Sequence, residues 1–405
     1  MSRLRQPTQR IGWLLFALVG LGGVAFTMTA PRSAPAEQPP LQRRTQTPAK
    51  KSKRSPQQGT HLALPPLKPK REVLSTPPRK WTWVKIPESR CGYGTTTGMA
   101  LNPSPGAKTL IIMLQGGGAC WKRYGALGGC FSRIKFVFSL RGINKKTFRR
   151  SWRIRRILRT FVLQRNRSYN PFANAHYAFL PYCTGDLHAG NSTLSFRKDQ
   201  TIRFHGHRNM KAFLARLVPT FPKVKRVILA GVSAGAVGAF LNWQLVQKAF
   251  GPKVRVDLLN DSGLPLKPDN KRWNQWLSAW NLRLPEGCKQ CKDSMDHLIG
   301  HYRTTMFRRG RKAAFISFRR DRIIRTFLGM FTQSLRFQRQ MYSMLDKIHQ
   351  DKNAHYFIQP GYNHVVLFRH KAHRIRSPRR VTLETWMKQF ANDDPAWSSH
   401  RPPAM

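Results

Sequence analysis

Gly231-Val232-Ser233-Ala234-Gly235 places a serine among small residues, directly after the apolar run KRVILA and directly before a helical pattern. Small residues permit a sharp strand-to-helix turn that projects the hydroxyl, while the amino end of the helix aims amide groups at it. A serine hydroxyl is a weak nucleophile near neutral pH and needs a base within hydrogen-bond reach, itself oriented by an acid. In an elbow of this kind the acid and then the histidine follow the serine along the chain. His364, in Pro360-Gly361-Tyr362-Asn363-His364, comes just beyond the last expected strand and fits the base, with His355, His370 and His373 as its nearest rivals. Asp321 follows AAFISFRR, where strand order puts the acid. Asp261, in Asn260-Asp261-Ser262-Gly263, is the alternative; otherwise its carboxylate accepts amide bonds in a turn.

An ester carbonyl under attack also needs donors for the developing negative charge. The run Gln115-Gly116-Gly117-Gly118-Ala119-Cys120-Trp121 supplies glycines whose amides can approach closely, and the Ala234 amide supplies a second donor. These glycines are not a phosphate loop, because no Lys-Ser/Thr follows them.

Short apolar runs must carry these residues. Strands are expected at 109 to 115, 176 to 182, 225 to 231, 254 to 260, 313 to 318 and 354 to 360, alternating with helices at 207 to 218, 235 to 250, 289 to 305, 323 to 349 and 381 to 391. Several strands are apolar throughout, as strands covered on both faces are. The alternation indicates an α/β domain: one mostly parallel central sheet flanked by helices, with functional groups at the carboxyl ends of the strands. No internal repeat is present.

The chain has 405 residues, of which 72 are Lys or Arg and 17 Asp or Glu, a net charge of +55; 40% are hydrophobic, so disorder throughout is excluded. Such a charge draws a molecule to polyanions without naming one. Residues 11 to 30 are uncharged and apolar, preceded by Arg3, Arg5 and Arg10. Residues 1–30 therefore read as an N-terminal signal-anchor or a cleaved signal peptide, contacting the membrane and placing the domain outside it, anchored or secreted. Residues 31–80 change to Pro, Gln, Ser, Thr and basic residues and read as a disordered linker. The catalytic domain is expected over 81–405.

Six ordered segments resemble the pectin acetylesterase and Notum family of α/β-hydrolases: LQGGGACW, NPFANAHYAFLPYCTGDLHAGN, FHGHRN, LAGVSAGAVGAFLN, NDSGLPL and YFIQPGYNHVVL. The resemblance covers about 85 to 397. It implies an α/β-hydrolase-like fold and a carboxylesterase with Ser233 as nucleophile, Asp321 as acid and His364 as base. It further implies an oxyanion hole at Gly116, Gly117 and Ala234, and an aromatic wall of the substrate pocket at Trp121, a residue that ordinary core packing would equally explain. Its plant-type members act on acetyl groups of pectin, so the implied substrate is an acyl, chiefly acetyl, ester, with an anionic polysaccharide as one alcohol component. It also implies the pairs Cys91 with Cys183 and Cys120 with Cys130. The remaining Cys288 and Cys291 read as a local disulfide, since no second CxxC completes a zinc site. His205-Gly206-His207 lacks nearby acidic ligands, so no metal and no cofactor is expected.

One departure from the family is large. Residues 133–168 carry 13 basic residues and no acidic one, interleaved with Phe136, Phe138, Phe148, Trp152 and Phe161, where a lid over the site would come from. The net charge of +55 is the main argument for polyanion contact through the basic surface. It also sustains the competing function, a non-catalytic polyanion binder on a hydrolase scaffold; a lipase or peptidase using the same triad is the third.

Overall fold

The computed structural model describes residues 59–132 and 139–403. The apolar segment 11–30, the tether as far as residue 58 and positions 133–138 of the basic segment lie outside the described residues.

Period-two alternation of buried side chains builds the core. Leu110, Ile112 and Leu114 of one strand face one apolar cluster, while Ile111 and Met113 of the same strand face another. Both faces of the sheet are therefore covered, and each fully buried Leu or Ile contributes roughly 1.5–3 kcal/mol relative to exposure. The sheet has eight strands: β1 (Thr82–Arg90), β2 (Thr96–Asn102), β3 (Thr109–Leu114), β4 (His176–Leu180), β5 (Arg226–Val232), β6 (Arg255–Asp261), β7 (Ala313–Phe318) and β8 (Ala354–Gln359). Their spatial order is β8-β7-β6-β5-β3-β4-β2-β1. From β8 to β4 every pairing is parallel, and β2 runs antiparallel to both β1 and β4. This is the mostly parallel α/β sheet read from the sequence, extended by an antiparallel edge.

Helices divide between the two faces. On one lie α3 (Gly206–Thr220), α4 (Ala234–Phe250), α5 (Asn270–Trp280), α6 (His297–Thr305), α7 (Arg322–Phe327) and α8 (Ser334–His349). On the other lie α1 (Lys145–Arg150), α2 (Trp152–Leu158) and α9 (Leu383–Ala391).

Of the basic segment, the described residues 139–168 place Phe148 of α1, Ile154 and Ile157 of α2, and Phe161 to Leu163 in the second cluster, against the other face of the sheet. The expected helix 323 to 349 breaks at Gly329, whose φ of 89° ends α7, and α8 begins only at Ser334. Residues 59 to 80, expected to belong to the linker, run along the domain: Thr60–Leu62 pairs antiparallel with strand Ser192–Arg197, and the Leu74 amide donates to Thr220 Oγ1.

Three disulfides, Cys91–Cys183, Cys120–Cys130 and Cys288–Cys291, use all six cysteines. Thiol labelling of the denatured, unreduced protein should find no free cysteine; two or more labelled sites would remove at least one bridge.

Candidate active site

The elbow is built by close packing where β5 becomes α4. Ser233 has φ 57° and ψ −127°, outside the regions that residues with a side chain ordinarily occupy. Its amide donates to the Asp261 carbonyl at 2.9 Å, and its own carbonyl accepts from the amides of Ala236 and Val237, starting the helix at once. Gly235 lets α4 begin hard against the end of β3, since a Cβ there would run into the Leu114 carbonyl oxygen. The motif's small residues are thus a packing requirement.

The loops after β7 and β8 are joined by backbone bonds. The amides of Arg319, Arg320 and Arg322 donate to the carbonyls of Gln359, Gly361 and Tyr362 at 2.8, 3.0 and 3.1 Å. Asp321 and His364 ride on this paired segment. Asp321 Oδ1 accepts from the Ile323 and Ile324 amides at 2.9 and 3.0 Å, capping α7, and its Oδ2 lies 2.8 Å from His364 Nδ1. His364 Nε2 lies 2.7 Å from Ser233 Oγ. A carboxylate facing Nδ1 leaves that nitrogen protonated and Nε2 free to accept, which is the tautomer a base toward Ser233 requires.

Asp261 does a different job. Its carboxylate accepts from the Val366 amide at 3.1 Å, the Leu367 amide at 2.7 Å and Ser262 Oγ at 2.9 Å, so it holds the segment just beyond His364. Burial raises its pKa to about 6 despite these donors. Two rival histidines are engaged elsewhere: His355 Nδ1 pairs with Ser399 Oγ, and His373 stacks on Tyr169 at 3.9 Å. His205 Nε2 bonds with Thr193 Oγ1.

A cavity of ≈ 30 Å³ opens beside Ser233 and Ala234, walled by Leu187, Val237, Leu264, Trp276, Met295 and Ile324 among others, with Gly118 and Ala119 from the glycine loop. Gly116 packs against Ser233 Cβ. Trp121 is not a wall of this cavity. It lies one layer back, edge-on to Trp276 at 5.7 Å, with Nε1 donating to Gln275 Oε1. Trp276 was not foreseen, although Trp273, Trp276 and Trp280 share one face of α5 at helical spacing.

A second cavity of ≈ 490 Å³, at the segment following His364, is lined by Trp152, Arg155, Arg156, Arg159, Phe368 and Arg369 among others. The Arg156 guanidinium lies 4.5 Å over the Phe368 ring, and Trp152 is 59% exposed.

Strand order, a serine elbow after β5 and a histidine loop after β8 define an α/β-hydrolase-like domain. The chain belongs to the pectinacetylesterase family, whose model matches residues 80–286. That stretch contains the glycine loop and Ser233 and ends before Asp321 and His364. The chain is also similar to palmitoleoyl-protein carboxylesterase notum2 of Xenopus laevis, 29% identical over 56% of this chain and 48% of the relative. Its similarity to NOTUM of Homo sapiens is 28% over 49% and 42%, and to notum1a of Danio rerio 27% over 51% and 43%. The chain spans about half the length, or less, of these curated relatives.

The two carboxylates separate by substitution. Asp321→Asn should lower ester turnover by about 10³–10⁴-fold, through loss of the tautomer, with folding retained. Asp261→Asn should act chiefly on the His364 loop and on stability; the reverse ranking would move the acid to 261. Because the folded pKa of Asp261 exceeds the ordinary aspartate value of 3.8, its stabilising contribution is present below about pH 4 and is lost as pH rises through about 6. Urea midpoints from pH 4 to 7 should shift in favour of Asp261→Asn relative to wild type.

Proposed function

We propose that the protein is an exported serine carboxylesterase that removes a short acyl group, chiefly acetyl, from its substrate. The carrying observation is the hydrogen-bonded line from Ser233 Oγ through His364 to Asp321 beside a small apolar cavity. Ser233 Oγ attacks the ester carbonyl as His364 Nε2 takes its proton. The oxyanion is met by the amides of Gly116, Gly117 and Ala234. The tetrahedral intermediate collapses, His364 returns the proton to the departing alcohol, and an acyl-enzyme remains. Water, deprotonated by His364, then releases the acid. Asp321 holds the imidazole and stabilises its charged form.

Cavity size argues for the acyl group. The cavity beside Ser233 is narrow and lined almost wholly by apolar groups, which favours a small apolar acyl group such as acetyl. The relatives' name specifies a palmitoleoyl group, so on this reading the chain differs from them in acyl length. Three disulfides and the apolar segment at 11–30 support export, either anchored at the membrane or secreted. Among the described residues no helix is long and apolar enough to cross a membrane. The arginine-lined cavity beside the His364 loop supports an anionic polysaccharide as the alcohol component, since guanidinium groups pair with carboxylates and the exposed Trp152 offers a flat apolar face.

A panel of p-nitrophenyl esters tests the acyl assignment. kcat/KM should fall at least about tenfold from acetate to octanoate, and Ser233→Ala should lower acetate turnover by at least ~10³-fold. A preference for octanoate would overturn the short-acyl reading, and undiminished turnover in Ser233→Ala the esterase itself. The binder alternative, which the same arginine cavity favours, predicts no turnover in the folded wild type. Replacing Arg155, Arg156 and Arg159 together by Gln should raise KM for an acidic acetylated polymer alone. That preference should fade as the screening length drops from ~30 Å at 0.01 M salt to ~8 Å at 0.15 M. Equal salt dependence for acidic and neutral polymers would remove the basic segment from substrate choice.

A further inference from the structure

The glycine loop has little stiffness of its own. Gly117 and Gly118 adopt φ of 157° and 81°, and glycine resists reorientation less than any other residue. Oxyanion donors must nonetheless be held in place before the reaction, because their value lies in preorganisation. Something outside the loop has to hold it.

The segment 183 to 190, after β4, touches the loop at both ends. The Cys120 amide donates to the Gly185 carbonyl at 2.9 Å. At the other end, His188 Nε2 lies 2.9 Å from the Gln115 carbonyl oxygen. A carbonyl only accepts, so Nε2 carries the proton. Burial lowers the pKa of His188 to about 4, and the ring is neutral throughout the neutral range.

His188 is itself held with unusual rigour. Leu187 and His188 are consecutive non-glycine residues with φ of 56° and 59°, a costly pairing that persists only where surroundings over-determine it. The buried Asp186 carboxylate accepts from Thr184 Oγ1 at 2.6 Å and the Gly206 amide at 2.7 Å. The Leu187 amide donates to Tyr182 Oη at 2.9 Å, and the Tyr182 ring stacks on the imidazole at 4.7 Å. From α4, Asn242 Nδ2 donates to the His188 carbonyl at 3.0 Å. Gly238, one turn into the same helix, leaves room for this approach, since a Cβ there would lie 2.7 Å from the Leu187 carbonyl oxygen and 2.9 Å from His188 Cδ2. The helix that begins at the nucleophile thus also seats the residue that grips the glycine loop.

Peptide planarity supplies the link to chemistry. The Gln115 carbonyl and the Gly116 amide belong to one rigid unit with opposed C=O and N–H directions, so fixing the oxygen fixes the direction of the Gly116 N–H. We propose that His188 is a positioning residue for the oxyanion hole, aiming the Gly116 amide by gripping the Gln115 carbonyl from behind. The inference rests on the serine-esterase reading and on Gly116 serving as an oxyanion donor.

Steady-state hydrolysis of p-nitrophenyl acetate by His188→Leu and His188→Gln, with melting curves for both, provides the test. The Leu variant should lose about 10–100-fold in kcat with KM within about threefold, because ground-state contacts are untouched while the donor is misaimed. The Gln variant, which keeps an N–H donor, should recover much of that loss. An unchanged kcat in folded His188→Leu, a loss carried wholly by KM, or a Gln variant no better than Leu would overturn the proposal. Should His188→Leu fail to fold, the wild type still decides. Its His188 ¹⁵N shifts should report a neutral, Nε2-protonated ring from pH 5 to 8 and move when a boronic acid adds to Ser233; a titrating ring, or no response to the boronate, overturns the proposal. An inactive wild type, or activity surviving Ser233→Ala, would instead refute the esterase reading, so the two failures are distinguishable.

Discussion

Ser233 is held at φ 57°, ψ −127°, between a strand that ends one residue earlier and a helix that starts one residue later. Strain of this kind persists only if neighbouring elements leave the chain no alternative. Here β3 and β6 flank β5 as parallel neighbours, the Asp261 carbonyl takes the Ser233 amide, and the glycines of the motif let α4 press against the end of β3. The fold's main layer, six parallel strands covered on both faces, supplies that constraint, and the strained serine is its local expression.

Around this point the supporting parts act through backbone atoms. Asp261 grips two amides beyond His364, Asp321 caps α7 with one oxygen and meets His364 with the other, and the two loops carrying Asp321 and His364 are paired along their main chains. Each of these buried carboxylates would be costly without its donors. The donors also fix geometry that side-chain contacts alone would leave loose. The disulfides extend the same logic, since Cys91–Cys183 and Cys120–Cys130 close loops that carry the residues behind the glycine loop.

The six apolar runs were legible because strands buried on both faces are apolar without interruption, and each falls within one or two residues of its expected bounds. The elbow was legible because a serine between small residues has few other uses after such a strand. The antiparallel edge strand β1 was not foreseen, because WVKIPESR mixes polar and apolar residues as an edge strand does. The position of the basic segment's described part, 139–168, was not legible from its charge, which says nothing about which face of a sheet a helix covers. Its apolar residues, Phe148, Ile154 and Ile157, decide that, and they match the second cluster. Trp276 escaped because α5 was not recognised despite Asp269 at its start and Asn281, at φ 43°, at its end. His188 and the arginine cavity depend on contacts between distant segments, which no local pattern encodes.

Activation of Ser233 is most directly measured by reaction with a fluorophosphonate, followed by intact-mass and peptide analysis. A stoichiometric adduct on the peptide carrying Ser233, abolished in Ser233→Ala and slowed at least ~10³-fold in folded His364→Ala, is the expected result. An adduct on another residue, or an undiminished rate in His364→Ala, would contradict the arrangement of nucleophile and base described above.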